Sequence, residues 1–173
     1  MFAVMTALCL TLAAPALQQD EDPRVRRVAT EVQHELLMLP YYGVFDNLAF
    51  TVEKGGTVRL LGQVRRATLK DDSERRVKKI PGVDTVVNEI EVLPVSPFDD
   101  ETRLAVARAI YRTPSLERYG FQVNPSIHII VKGGHVTLEG VVDNEADKTV
   151  AGLKAREIGT VFDVKNNLRV EKN

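Results

Sequence analysis

The chain has 173 residues with 23 basic and 24 acidic side chains, a net charge of −1, which excludes a general electrostatic attraction to nucleic acid or to anionic membranes. Hydrophobic residues at 44% and charged residues at 27% are globular proportions and exclude general disorder. The length admits one ordinary domain or two small ones.

Met1 to Leu17 carries no charged residue. Its apolar run ends in Ala13-Ala14-Pro15-Ala16, where Ala14 and Ala16 fit the small-x-small pattern of a secretory signal. The run is short for a membrane span. The segment departs from the signal pattern in opening without Lys or Arg. Cys9 invites a lipoprotein reading, against which Leu8 is larger than the small residue that lipidation prefers. Residues 1–16 are therefore expected to be a signal peptide and 17–23 a polar N-terminal segment. A chain cut after Ala16 has no cysteine and no disulfide, and is placed in the periplasm or another extracytoplasmic compartment.

The next stretch, about Arg24 to Leu39, reads as a helix. Val25, Val28, Val32, Leu36 and Leu39 recur at helical spacing and Pro40 ends the pattern. Leu48–Val52 and Val58–Val64 read as strands joined at Lys54-Gly55-Gly56, where paired glycines supply the positive φ of a tight hairpin turn. A charged helix follows over about Leu69–Ile80, with only Leu69, Val77 and Ile80 as its apolar stripe, and a last strand over Thr85–Val92. Leu93–Phe98 holds two prolines and reads as a stiff connector.

The same order then recurs. Lys132-Gly133-Gly134 repeats Lys54-Gly55-Gly56 at a distance of 78 residues, and the register holds downstream: Gly62 matches Gly140, Val86 matches Val164 and Asn88 matches Asn166. The second first-helix is expected to be capped by Asp99 or Asp100, to bury Leu104, Ala107, Ile110 and Tyr111, and to stop at Pro114. The later helix, Glu145–Ile158, is expected to bury Ala146, Val150, Leu153 or Lys154, and Ile158. The fold class is thus α+β, two tandem αββαβ domains, each with two helices on a small three-stranded mixed sheet. The boundaries are 24–93 for the first, 94–98 for the connector and 99–173 for the second. Gly55, Gly56, Gly62, Gly82, Gly133, Gly134 and Gly140 are the expected turn glycines.

Each half resembles the BON domain, on the strand-Gly-Gly-strand hairpin, the glycine of the second strand, the charged helix, and Gly82-Val83-x-x-Val86-x-Asn88. The second copy departs by placing Thr160 where the first has Gly82. The resemblance is to osmotically inducible periplasmic proteins of the OsmY type. It implies a non-enzymatic protein, without cofactor, that binds phospholipid or another hydrophobic ligand and supports envelope integrity or osmotic-stress tolerance. The alternative is a periplasmic adaptor or chaperone-like module that binds envelope proteins through an exposed sheet face or edge.

No catalytic or metal site is legible. His34, His128 and His135 stand without a ligand cluster, and the glycine pairs precede no helix that would bind phosphate. Asp71-Asp72 and Asp99-Asp100 read as helix-start residues. Two stretches are candidate lipid or partner surfaces. One is the basic cluster Arg75, Arg76, Lys78 and Lys79, near Arg65 and Arg66; the other is the aromatic–basic segment with Arg112, Arg118, Tyr119 and Phe121. The competing readings are a solvated helix face for the first and aromatics packed on the sheet for the second.

Overall fold

The computed structural model describes residues 22–53, 55–122 and 124–171; the leader-like stretch, Cys9 included, lies outside them. Two units follow one another. The first is α1 (Pro23–Leu37), β1 (Asn47–Val52), β2 (Thr57–Val64), α2 (Ala67–Val77), β3 (Thr85–Asn88) and β4 (Glu91–Val92). The second is α3 (Pro97–Tyr111), a 3-10 turn at Glu117–Tyr119, β5 (Ile127–Lys132), β6 (His135–Val142), α4 (Glu145–Arg156), β7 (Asp163–Asn166) and β8 (Arg169–Val170). In each sheet the second strand is central. It runs antiparallel to the first and parallel to the two short segments after the second helix.

Those two short segments are one interrupted strand. Thr57 lies opposite Thr85 and Val64 opposite Val92 in a single register. The interruption at Glu89-Ile90 sits across from Gly62, whose φ is +111°. A side chain cannot occupy that position, since a Cβ on Gly62 would stand 2.0 Å from the Asn47 carbonyl oxygen. Asn88 fills the gap in the ladder. Its Oδ1 accepts the Ile90 N–H at 3.2 Å, and its Nδ2 donates to the Lys70 carbonyl at 3.1 Å, tying α2 to the sheet. The second unit repeats every part: Gly140 at +114° with a Cβ position 2.0 Å from the Ser126 oxygen, and Asn166 bound to Leu168 N–H (3.3 Å) and the Lys148 carbonyl (2.7 Å). The glycine and asparagine that recur in the sequence are two sides of one kink.

The cores lie between helices and sheet. Val28, Val32 and Leu36 of α1 meet Val58, Leu60 and Val64 of β2 and Leu69 and Val77 of α2, all buried. In the second unit the buried faces differ from expectation in part: Ile110 is buried and Ala107, Tyr111, Val150 and Ile158 pack against the core as expected, but Leu104, Ala146 and Leu153 are exposed. On α3 the buried residues are Asp99, Thr102, Arg103, Val106 and Ile110, whereas Leu104 is 47% exposed. On α4 they are Asp147, Ala151, Gly152 and Ala155, whereas Leu153 is 50% exposed. Small side chains at Ala151 and Ala155 occupy the inward face, and the aliphatic positions Leu104 and Leu153 point out, because polar partners fix the rotation of each helix. Asp99 illustrates this. It is not the cap; Ser96 is, accepting the Asp99 N–H at 3.2 Å, with Pro97 at the first turn. The Asp99 carboxylate instead accepts the N–H groups of Gly133 and Gly134 at 2.9 and 2.8 Å. The helix therefore begins inside the expected connector. Asp71 and Asp72 likewise lie within α2, not at its cap.

The repeat slips by one residue at the hairpin. Three residues separate the bonded pair Glu53 and Thr57, but two separate Lys132 and His135. The turn at Thr160 does without positive φ, since Gly82 has φ +95° and neither Thr160 nor Gly159 adopts it. We predict that Gly140→Ala destabilises the protein by about 2–4 kcal/mol, from left-handed strain plus a clash with backbone. Gly159→Ala, at an open position with nothing within 4 Å, should change stability by less than about 0.5 kcal/mol. Urea titrations of both variants provide the comparison.

Candidate binding surfaces

The aromatic–basic segment splits into a structural part and an exposed part. Tyr119 is 4% exposed and belongs to the second core, so it is not a surface residue. Its hydroxyl donates to Asp147 Oδ2 at 2.6 Å and accepts the Asp143 N–H at 2.9 Å. Burial, then the bond to Asp147, raises its pKa. The Arg118 guanidinium lies 4.7 Å from the Tyr119 ring centroid and pairs with Asp143 at 3.0 Å and with Asp147. Asp147 occupies the α4 position that Leu69 holds on α2, so the second unit replaces a core leucine with a carboxylate whose Oδ2 accepts from Tyr119, Arg118 and Asn144. Arg112 and Phe121 remain exposed, Phe121 at 78%.

The basic cluster is largely neutralised. Arg75 pairs with Asp72 at 2.9 Å, Arg76 with Glu35 at 3.0 Å and Lys78 with Glu74 at 2.5 Å. Bonds from Lys78 and Asn88 hold the Glu74 carboxyl below its usual range. Lys79 is exposed in the turn just past the end of α2. Arg65 and Arg66 face elsewhere: Arg66 covers the Tyr41 ring at 4.8 Å and Arg65 covers Phe45 at 5.6 Å. The structure therefore does not gather these cations into one unpaired face.

What the sequence did not reveal is how the units meet. The loop between α1 and β1 lies along the edge of β5, where the Ile129 N–H donates to the Val44 carbonyl at 2.7 Å. Tyr42 stacks on His128 with centroids 5.4 Å apart. The Gly43 carbonyl, 3.3 Å from His128 Nδ1, can only accept, so Nδ1 carries the proton and Nε2 accepts from the Tyr42 hydroxyl at 3.5 Å. Burial lowers the His128 pKa and raises that of Tyr42 to about 12. Arg65 bridges to Asp100 at 3.2 Å, Lys132 to Glu91 at 2.5 Å, and Asn124 Nδ2 donates to the Leu37 carbonyl at 3.2 Å. Between the units lies a cleft of about 700 Å³ with Leu37, Leu48, Phe50, His128 and Val141 among its walls. The pairing of Tyr42 with His128 had no signal in the sequence, since the two residues are 86 positions apart.

Among the described residues no group of three or more His, Cys, Asp and Glu side chains could hold a metal ion, and no helix is long and apolar enough to cross a membrane. The sequence matches the BON domain twice, over residues 25–94 and 99–172. The chain therefore belongs to the BON domain family, as a tandem pair, and the two units of the fold are its two BON domains. BON domains are typical of periplasmic or envelope proteins and are generally non-enzymatic. No curated protein matches the chain. Two structures from the type III secretion system of Chlamydia trachomatis are loosely similar. One is the C-terminal domain of CdsD (13% identity, 82% of this chain and 96% of that chain, TM-score 0.33); the other is a second CdsD structure (12%, 85% and 93%, 0.32). At these scores the likeness bears on neither fold nor function.

Because the His128 pKa is lower folded than unfolded, the unfolded chain binds the proton more readily. Its contribution to stability is intact above the unfolded value of about 6.5 and is lost as pH falls below it. Asp46, whose pKa burial raises, acts in the opposite sense at more acidic pH. We predict that between pH 7.5 and 5.5 the wild type loses stability relative to His128→Phe, which keeps the ring on Tyr42 without the titrating nitrogens. Urea midpoints at both pH values measure the difference.

Proposed function

We propose that this chain is an exported, non-enzymatic envelope protein that sits peripherally on phospholipid, or holds another hydrophobic ligand, and supports envelope integrity under osmotic stress. The observation that carries the reading is the gathering of exposed apolar residues at one end of the interface between the units. Leu37 (42% exposed) and Met38 (61%) close α1, and Tyr41 (73%) follows with positive φ. The bond from Asn124 to the Leu37 carbonyl brings the loop that carries Phe121 (78%) to the same place. Exposed apolar side chains grouped beside Arg66, whose guanidinium lies 4.8 Å from the Tyr41 ring centroid, suit an interface where rings enter the headgroup layer and cations meet phosphate. The family supports an envelope location, and the leader-like N-terminus read from the sequence supports export.

Vesicle flotation tests the proposal. The full chain should float with phosphatidylglycerol-containing vesicles and less with neutral ones. The Met38→Asp/Phe121→Asp double variant, altered only at exposed positions, should reduce flotation at least tenfold while keeping its thermal midpoint. Absence of flotation with either vesicle, or an unaffected variant, would count against membrane binding.

A further inference from the structure

The two domains treat the outer edge of their first strand differently. The Glu53 N–H donates to the Thr57 carbonyl at 2.8 Å. That bond sets the alternation of the antiparallel ladder, so the backbone groups of Leu48, Phe50 and Val52 point away from β2. The counterparts in the second domain are Ile127, Ile129 and Val131, and there the edge is closed. The Tyr111 hydroxyl donates to the Ile127 carbonyl at 2.6 Å, the Ile129 N–H donates to the Val44 carbonyl at 2.7 Å, and Arg103, held by Asp100 at 2.7 Å, donates to the Val131 carbonyl at 2.5 Å. The α1 residues that match Asp100, Arg103 and Tyr111 in these two 15-residue helices are Arg26, Ala29 and Leu37, none of which can make those bonds. The outward N–H and C=O groups of Phe50 and Val52 have no partner among the described residues.

Beside that open edge runs a groove. One part, about 290 Å³, lies between α1 and β1 with Val25, Arg26, Ala29 and Val52 in its walls. It meets the 700 Å³ cleft between the domains at Gln33 and Phe50, which line both. We propose that this groove takes an extended polypeptide from a partner protein, added to β1 as a new edge strand. An edge of unpaired amides and carbonyls is complemented by another backbone and not by an acyl chain. The groove is continuous with an interface that already works this way, since the extended segment around Val44 lies along the β5 edge. The cations Arg26 and Arg169 line its two parts, so the fitting peptide has apolar side chains at alternate positions and carboxylates near its ends. Six residues of β1 span about 20 Å, the reach of an ordinary strand pairing.

The experiment is selection of a random twelve-residue peptide library on the full chain, followed by affinity measurement of the recovered peptides. Expected are peptides with alternating apolar residues and acidic flanks, whose binding slows amide exchange at Phe50 and Val52. Two variants close the groove in different ways. Arg26→Asp/Ala29→Arg installs the pair that covers β5, and Val52→Pro removes an edge donor while sparing the β1–β2 ladder. Each should weaken binding at least tenfold, and a retained thermal midpoint separates this from unfolding. Recovery of no peptide, binding to either folded variant as tight as to the wild type, or slowed exchange elsewhere overturns the proposal. Dimerisation of the chain alone that Val52→Pro abolishes also overturns it, by placing a second copy in the groove. Vesicle flotation of the same variants should be unchanged, so failure here leaves the lipid reading separately testable.

Discussion

Each domain is organised around a kink in its central strand. With φ near +111° and +114°, Gly62 and Gly140 press their backbones against the Asn47 and Ser126 carbonyls, where no side chain fits. The kink opens the parallel ladder one strand over, and Asn88 or Asn166 repairs it while gripping a carbonyl of the following helix. Strand, interruption and helix docking are thereby coupled in a small domain whose apolar core alone is modest. Ile90 and Leu168, two residues after these asparagines, are then turned into the core at 1% exposure.

On this shared frame the two domains have diverged in how they satisfy their interiors. The first uses apolar packing: Leu69 and Val77 on α2 face Val28, Val32 and Leu36 on α1. The second uses polar bridges. Asp99 holds the hairpin turn, Arg103 holds the end of β5 and Asp147 holds Tyr119. Buried polar groups of this kind are tolerated only when their bonds are made, and they constrain geometry more narrowly than leucines do. Arg103 Nε alone among these groups is buried without a partner. The consequence is visible at the sheet edges, closed in the second domain and open in the first.

The proposed binding surface follows from this asymmetry more than from any single motif. The first domain contributes an open edge and the exposed end of α1; the second contributes the Phe121 loop and the wall of the cleft. The residues singled out by chemistry in the sequence divided unevenly. Phe121 and Arg112 are at the surface, Tyr119 is in the core, and Arg75, Arg76 and Lys78 are held by neighbouring acids. A run of charges in sequence says nothing about which carboxylate across the fold will meet it. Arg76 is paired with Glu35, 41 positions away on another helix.

By itself the sequence determined the repeat, the order of elements and the glycine positions, because those depend on local conformation. Gly-Gly turns, period-two strands and the α1 stripe act within a few residues. It misplaced part of the buried faces of α3 and α4, because local hydrophobicity favoured Leu104 and Leu153 while Asp99, Arg103 and Asp147 are inward only by virtue of partners 28 to 35 residues away; Ile110 and Val150 were placed correctly. Tertiary structure alone decided how the domains meet and which edge stays open. The first rests on Tyr42 against His128, Val44 against Ile129 and Arg65 against Asp100, the second on Tyr111 and Arg103 against the β5 carbonyls, and contacts between distant segments leave no periodicity for a sequence to display.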